Sequence, residues 1–238
     1  MTATLQKPRT TTKKWWQRPW IGPLGLLAIA FIAFSVPPYL TGDRSQSRVQ
    51  QPDYAWHYPL LVVHVLFASV AMITCVFQIW PWFRQRHPQA HRRMGRIYVF
   101  GGVLPAGVLA LTIGMVTPFG PAAFASGIVM APLWLFFTVA GYRMARQRRF
   151  VDHRRWMIRS FALTMSIITN RLWAIVFGIA VGPQLETTFH GDLKLMVYSI
   201  SGATTWLGWV IPLLIAEWWL QRPEMARRKA RSVAGGAG

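Results

Sequence analysis

Long apolar runs with almost no charge constrain this chain more than any other feature of its sequence. A helix rises about 1.5 Å per residue, so about 20 residues cross about 30 Å of hydrocarbon. Six runs of at least that length cover residues 20–40, 59–83, 97–117, 122–142, 157–181 and 196–220. The sequence therefore predicts an all-α, six-helix integral membrane bundle.

These runs also divide the chain into three parts. The sequence predicts a basic leader over residues 1–19, a membrane domain over 20–220 and a basic tail over 221–238. The first run is expected to be an uncleaved anchor, because Pro37 and Pro38 suit the end of a helix better than a cleavage site.

The distribution of positive charge predicts the orientation. The chain has 26 Lys and Arg against seven acids. Twenty-two of these cations fall in the leader, the tail and two segments, 84–96 and 143–159. Short segments rich in Lys and Arg stay in the cytoplasm, so both termini are expected there, in a bacterial inner membrane. The clusters suit anionic headgroups of membrane lipids. They are separated by apolar runs, which argues against one nucleic-acid-binding face.

One basic pattern occurs twice with a constant offset of 62 residues. Arg84–Arg86 and His91–Arg93 recur as Arg146–Arg148 and His153–Arg155. The offset pairs the second run with the fourth and the third with the fifth, all in the same direction across the membrane. A core of two parallel helix-pair repeats, related by an axis along the membrane normal, is therefore expected. The predicted repeats cover about residues 59–117 and 121–181.

His91 and His153 are the candidate cofactor and metal ligands, because the repeat makes them a symmetric pair. Two neutral imidazoles can hold one haem iron axially, with nearby arginines on the propionates. Four glycines of the third run would allow close approach of a macrocycle: Gly101, Gly102, Gly107 and Gly114. The alternative is that these histidine-arginine clusters only anchor the protein to anionic lipid.

A second candidate site involves His64 and Arg171, with the neighbouring Asn170. Arg171 falls near the middle of the fifth run, where a charge is costly and usually functional. It would bind an anionic or quinone headgroup together with His64, or else hydrogen-bond helix carbonyls and Asn170. Glu217 is expected to be too far from Arg171 for a direct ion pair.

Other side chains give no sign of catalytic chemistry. The sequence has no GxSxG, P-loop or HExxH motif, so enzymatic activity is left open. The single cysteine, Cys75, is expected to be a core residue. His57 and His190 are expected to be solvated in outer loops.

Three segments resemble a bacterial membrane family catalogued as domain of unknown function 2306. They are 91–99 (HRRMGRIYV), 153–160 (HRRWMIRS) and 169–172 (TNRL), with His64 at the place of that family's early histidine. The resemblance covers about residues 59–180 and implies a polytopic membrane protein without an assigned activity.

A looser resemblance is to six-helix b-type cytochromes, which bind haem between histidines on paired helices. His91 and His153 resemble one such pair. His64 would belong to the other, but the fourth run has no histidine, and Ser126 stands opposite His64 in the repeat. Met130 is the nearest soft ligand there.

Together these features favour a membrane redox module that binds haem b or quinone between the second and fifth runs. The alternative is a non-enzymatic module that binds or transports an anionic lipid or a lipophilic metabolite. A homodimer or a further membrane subunit is left open as a partner.

Overall fold

The computed structural model describes residues 18–235, with side chains to residue 222, and this part of the chain is helical without strands. Most of the predicted leader and the side chains of the predicted tail lie outside the described residues. The helices are α1 Ile21–Ser35, α2 Pro37–Leu40, α3 His57–Ile79, α4 Pro81–Arg86, α5 Pro88–Tyr98, α6 Leu104–Gly114, α7 Pro121–Arg146, α8 Phe150–Thr164, α9 Ser166–Val181 and α10 Leu193–Gly235.

Five helical stretches in the described part are long and apolar enough to cross a membrane. They are His57–Ile79, Pro88–Gly114, Pro121–Arg146, Phe150–Gln184 and Leu193–Arg222. The second stretch contains both α5 and α6, and the fourth contains both α8 and α9. The prediction of an all-α, multi-pass membrane protein is thereby confirmed, whereas the count of six spans is not.

The first apolar run forms the 15-residue helix α1 and the short helix α2. The break between them falls just before Pro37, which lacks the N–H that would continue the helix. Gly25 of α1 lies beside Val76, near the end of α3, with its Cβ position 3.5 Å from Val76 Cγ1. Tyr39 of α2 stacks on Tyr58 at the other end of α3, with ring centroids 6.4 Å apart. The α1–α2 segment therefore runs antiparallel to α3 along most of its length.

The two basic segments, 84–96 and 143–159, are largely helical and do not form extended loops. α4 ends at Arg86, and α5 begins at Pro88 after the single residue His87. Proline at the first helical position has its φ angle preset for a helix and loses no intrahelical bond. α8 begins at Phe150 after the three residues 147–149 that follow the end of α7. His91 and His153 consequently lie on the first turns of long helices.

Helix α7 lies at the centre of the bundle, against α6, α8 and α10, while α3 packs against α1, α5 and α6. Two glycines of the third run allow close approaches between helices. A Cβ on Gly102 would lie 2.9 Å from the Cα of Ala71, and one on Gly107 would lie 2.5 Å from Cδ2 of Leu135. Small residues permit such contacts between helices in membranes. These two glycines serve helix packing.

Both long repeat stretches are irregular at the same place. Between α5 and α6 the chain makes a π-helical turn over Val99–Val103. Between α8 and α9 it breaks at Met165, which is 62 residues beyond Val103. A π-helical turn inside an α-helix redirects its side chains. An interruption at a corresponding position therefore separates the basic half from the apolar half in each stretch.

Candidate ligand site at the basic end of the bundle

The two repeated segments meet at one end of the bundle, called here the basic end. His91 interacts electrostatically with His153 and with Arg84, and Arg84 with Arg154 and Arg18. Loss of hydration on partial burial lowers the pKa of the Arg84 guanidinium, and the charges of Arg154 and Arg18 lower it further. These five residues are called the cationic cluster. The three arginines of this cluster repel one another, and a bound anion would relieve that repulsion.

The acids at the basic end are engaged by other arginines. Asp152 pairs with Arg149 at 2.7 Å from Nη2 to Oδ2. Glu217 of α10 receives two hydrogen bonds from Arg159, of which Nη2 to Oε2 measures 2.9 Å. Among residues 18–222, no carboxylate is therefore paired with the cationic cluster.

The two histidines of the pair have different surroundings. His153 Nδ1 donates to the carbonyl of Gly141 at 2.8 Å, because a carbonyl can only accept. His91 Nδ1 is buried and has no partner among the described residues, although the backbone carbonyl of His91 accepts from Gln78 Nε2 at 3.1 Å. An orphaned buried nitrogen costs free energy unless a ligand or water completes it.

His64, Asn170 and Arg171, the residues of the second candidate site, each have different surroundings. His64 is half-buried, and its Nδ1 donates to the carbonyl of Ala106 on α6 at 2.9 Å. Asn170 packs against α10, since a Cβ on Gly208 would lie 2.8 Å from the Asn170 Cβ. Arg171 is exposed on α9. Within the described part of the chain, no hydrogen bond or ion pair joins Arg171 to Asn170, to His64 or to a helix carbonyl.

Sequence reasoning missed a buried group of hydroxyls in the bundle, called here the hydroxyl cluster. Tyr98 Oη lies 2.6 Å from Ser160 Oγ and 2.8 Å from Thr164 Oγ1. Thr138 Oγ1 lies 2.6 Å from Ser160 Oγ, and Trp134 Nε1 donates to Thr164 Oγ1 at 3.0 Å. The cluster joins α5, α7 and α8 and leaves none of these five polar groups without a partner.

The offset of 62 residues contained a signal for this cluster. Tyr98 follows His91 by seven residues, and Ser160 follows His153 by seven. Seven residues make about two turns and a rise of about 10 Å on one helix face. The helix faces that bring the histidines together therefore bring Tyr98 and Ser160 together deeper in the bundle.

Sequence reasoning also missed the partner of Glu217. It excluded an ion pair with Arg171, and the structure instead pairs Glu217 with Arg159, whose guanidinium lies 4.8 Å from the ring centroid of Trp156. Arg154 lies similarly 5.2 Å from the ring of Trp219. These contacts fasten α8 to α10 at the basic end.

Among the described residues, no group of three or more His, Cys, Asp or Glu side chains could hold a metal ion. His91 and His153 are thus a two-histidine pair. Cys75 is buried, as predicted, and its thiol lies 3.0 Å from the carbonyl oxygen of Met72.

Comparison with known proteins adds one finding. The family model described as predicted membrane protein, DUF2306, matches residues 61–220. The chain belongs to the DUF2306 family. This confirms the resemblance inferred from the motifs, and the DUF2306 match extends through the membrane part of α10 but begins after α1 and α2. No curated protein and no solved structure matches the chain.

Proposed function

We propose that this DUF2306 protein is a membrane redox module that binds haem b or a quinone headgroup at the His91–His153 pair. The observation that carries the proposal is the electrostatic interaction of these two imidazoles beside arginines that have no carboxylate partner among the described residues. Each ring has a nitrogen available, and the surrounding charge suits an anionic or electron-rich ligand.

His91 and His153 are not equally well prepared to ligate haem b. A ligating histidine usually donates its second ring N–H to a carbonyl or carboxylate, which fixes the tautomer. His153 has this partner in the carbonyl of Gly141, whereas His91 Nδ1 has none among the described residues. Arg84 and Arg154 are placed to pair with carboxylates of a bound group. Haem, when bound, would supply one-electron transfer, and the chain would hold and orient it.

We also propose six crossings, with both termini in the cytoplasm of a bacterium. Support comes from the contacts of α1 and α2 with α3, which extend from Val76 to Tyr58. Tyr58 and Val76 are 18 residues apart on α3, which corresponds to a rise of about 27 Å. The first apolar segment therefore extends over nearly the length of a membrane span. The equal spacing of the histidine pair, the hydroxyl cluster and the helix interruptions supports an internal duplication.

His64, Asn170 and Arg171 are proposed to serve a second subsite in the opposite half of the membrane. Arg171 carries this part, because an exposed guanidinium on an apolar helix needs an anionic partner or must extend to the interface. The ligand would be an anionic headgroup or a quinone, and a membrane partner or a second copy could also present it.

The test is a spectrum of the protein purified in mild detergent from haem-replete cells, before and after dithionite. The expected result is a Soret band and a reduced α-band at about one haem per chain. H91A and H153A should abolish both bands. H190N is the matched control, because His190 is exposed, has φ of 49° and lies in the opposite loop, and it should keep the spectrum.

The quinone version has a separate readout. If the purified protein is colourless and monodisperse, organic extraction should recover quinone from the parent but not from H91A or H153A. A colourless parent without extractable quinone contradicts the redox proposal.

The second candidate function is non-enzymatic binding or transport of an anionic lipophile. It is favoured by the cationic cluster, which has no carboxylate partner in the described part of the chain. Under this alternative, R84Q and R154Q should release a co-purifying anionic compound, while the protein shows no redox-active absorbance in either form. Equal retention by R84Q, R154Q and the parent would contradict it.

A further inference from the structure

A groove of about 670 Å³ opens beside the first turns of α5, and neither His91 nor His153 lines it. Its walls are Arg86, His87, Pro88, Gln89, Ala90, Arg93, Met94 and Ile97. No acidic residue lines it either. The groove is therefore separate from the cationic cluster and does not depend on the proposed redox function.

One end of the groove is equipped to bind an anion. Arg86 and Arg93 bring two guanidinium groups, and the ring of His87 is held near Trp82 with centroids 5.6 Å apart. The backbone N–H groups of residues 89 and 90 are in the first turn of α5, which has no side-chain cap, and no acceptor for them lies among the described residues. Free first-turn amides and arginine forks are the groups that bind phosphate.

The other end of the groove is apolar. Ala90, Met94 and Ile97 follow one another at spacings of four and three residues, so they lie on one face of α5. Ile97 is exposed to 45% and stands where the predicted apolar run begins. A ligand that fills both ends must carry an anionic head and an apolar chain.

The second copy of the pattern explains why the first is open. Asp152 occupies the third position of α8, and Ala90 occupies the third position of α5, exactly one repeat offset earlier. The Asp152 carboxylate lies in the first turn of α8 and pairs with Arg149 at 2.7 Å. Alanine leaves the equivalent position without a carboxylate.

We propose that the groove binds one anionic phospholipid. Its phosphate lies between Arg86, Arg93 and the amides of residues 89 and 90, at the turn of α5 that corresponds to the turn of α8 carrying Asp152. The first methylenes of an acyl chain lie along Met94 and Ile97. The apolar end commits the site to a lipid, since inorganic phosphate would leave it empty.

The test is native mass spectrometry of the delipidated protein in detergent, with added phosphatidylglycerol, phosphatidylcholine of the same chains, or inorganic phosphate. The key variant is A90D, which places a carboxylate where the phosphate would bind. An acidic side chain in the first turn of a helix is favourable, so this variant should fold, and size exclusion with circular dichroism checks that it does.

The expected result is one tightly bound phosphatidylglycerol per parent chain, with at least tenfold weaker binding in A90D and R93Q. Arg148 is the residue of the second basic pattern that corresponds to Arg86. R148Q is therefore the matched control and should bind phosphatidylglycerol as the parent does. The proposal would be overturned if phosphatidylcholine or inorganic phosphate bound as tightly as phosphatidylglycerol. It would also be overturned if phosphatidylglycerol binding were unchanged in both A90D and R93Q. If A90D does not fold, R93Q alone decides.

Discussion

The starts of α5 and α8 carry the same basic pattern but are completed differently. On α8, Asp152 pairs with Arg149, and His153 Nδ1 is held by the Gly141 carbonyl. On α5, Ala90 stands at the position of the acid, and His91 Nδ1 has no partner in the described part of the chain. A repeated pattern therefore fixes where a helix begins. Single side chains decide whether its polar groups are satisfied internally or left for a ligand.

The difference continues toward the middle of the bundle. Arg159 of α8 is bound to Glu217 of α10, whereas Ile97 at the equivalent place on α5 is exposed. α10 packs against α7, α8 and α9 and so covers the second copy. In the first copy, the start of α5 remains open to lipid or to a partner.

The largest expected effect tests whether both helix starts lie on the same side of the membrane. In a C75A background, Q89C and V151C should react fully with a membrane-impermeant maleimide only after the cytoplasmic side is exposed. T187C, in the loop before α10, should react from the opposite side in intact cells. Labelling of Q89C and V151C from different sides would exclude a parallel duplication.

The next largest effect concerns the residue at which the two copies meet. Y98A should lower the free energy of unfolding by about 3–5 kcal/mol, because it empties a fully buried site and removes bonds to Ser160 and Thr164. Denaturant titration in mixed micelles measures this change. Y98F keeps the ring and should cost about 1–2 kcal/mol. Equal losses for the two variants would contradict the role given to ring packing.

A smaller effect is expected at Gly102, which is specific to the first copy because Thr164 stands at the equivalent position. G102A places a Cβ 2.9 Å from the backbone of Ala71 and should cost about 1–3 kcal/mol of unfolding free energy. G127A is the control, since a Cβ there meets nothing within 4 Å. It should be neutral or stabilising by up to about 1 kcal/mol.

The smallest expected effect is the difference in stability between loss of the Arg159–Glu217 ion pair and loss of the Arg149–Asp152 ion pair. E217Q should lower the free energy of unfolding by about 1–2 kcal/mol, because the side chains of Arg159 and Glu217 are only 20% and 30% exposed. D152N should change it by less than about 0.5 kcal/mol, since its partner Arg149 is 59% exposed. The same titration measures both variants. A larger loss for D152N would reverse the assignment of α10 as the cover of the second copy.

Much of the fold was predictable from composition along the chain. Apolar runs of about 20 residues require helices whose backbone bonds are satisfied internally, and five such stretches are present. The segment motifs by themselves indicated the family. The first run was harder to predict, because Pro37 divides it into α1 and α2 and leaves no single helix of span length.

Only the part of the candidate site whose residues are related by the offset of 62 was predictable from the sequence. That offset paired His91 with His153, which the structure brings within electrostatic range. It gave no account of the groove beside Ala90 or of the Arg159–Glu217 pair. The proposed site at His64 and Arg171 stays a prediction, without a contact that joins the two side chains.

The sequence by itself determined the membrane class, the family, the paired histidines and the places of the long apolar helices, since these depend on local hydrophobicity and on spacing along one helix. Only the tertiary structure decided which polar groups are satisfied. Tyr98, Ser160 and Thr138 come from three helices, and Glu217 reaches Arg159 across 58 residues of chain. Such partners depend on how helices are placed around each other, and periodicity within a single segment does not contain that information.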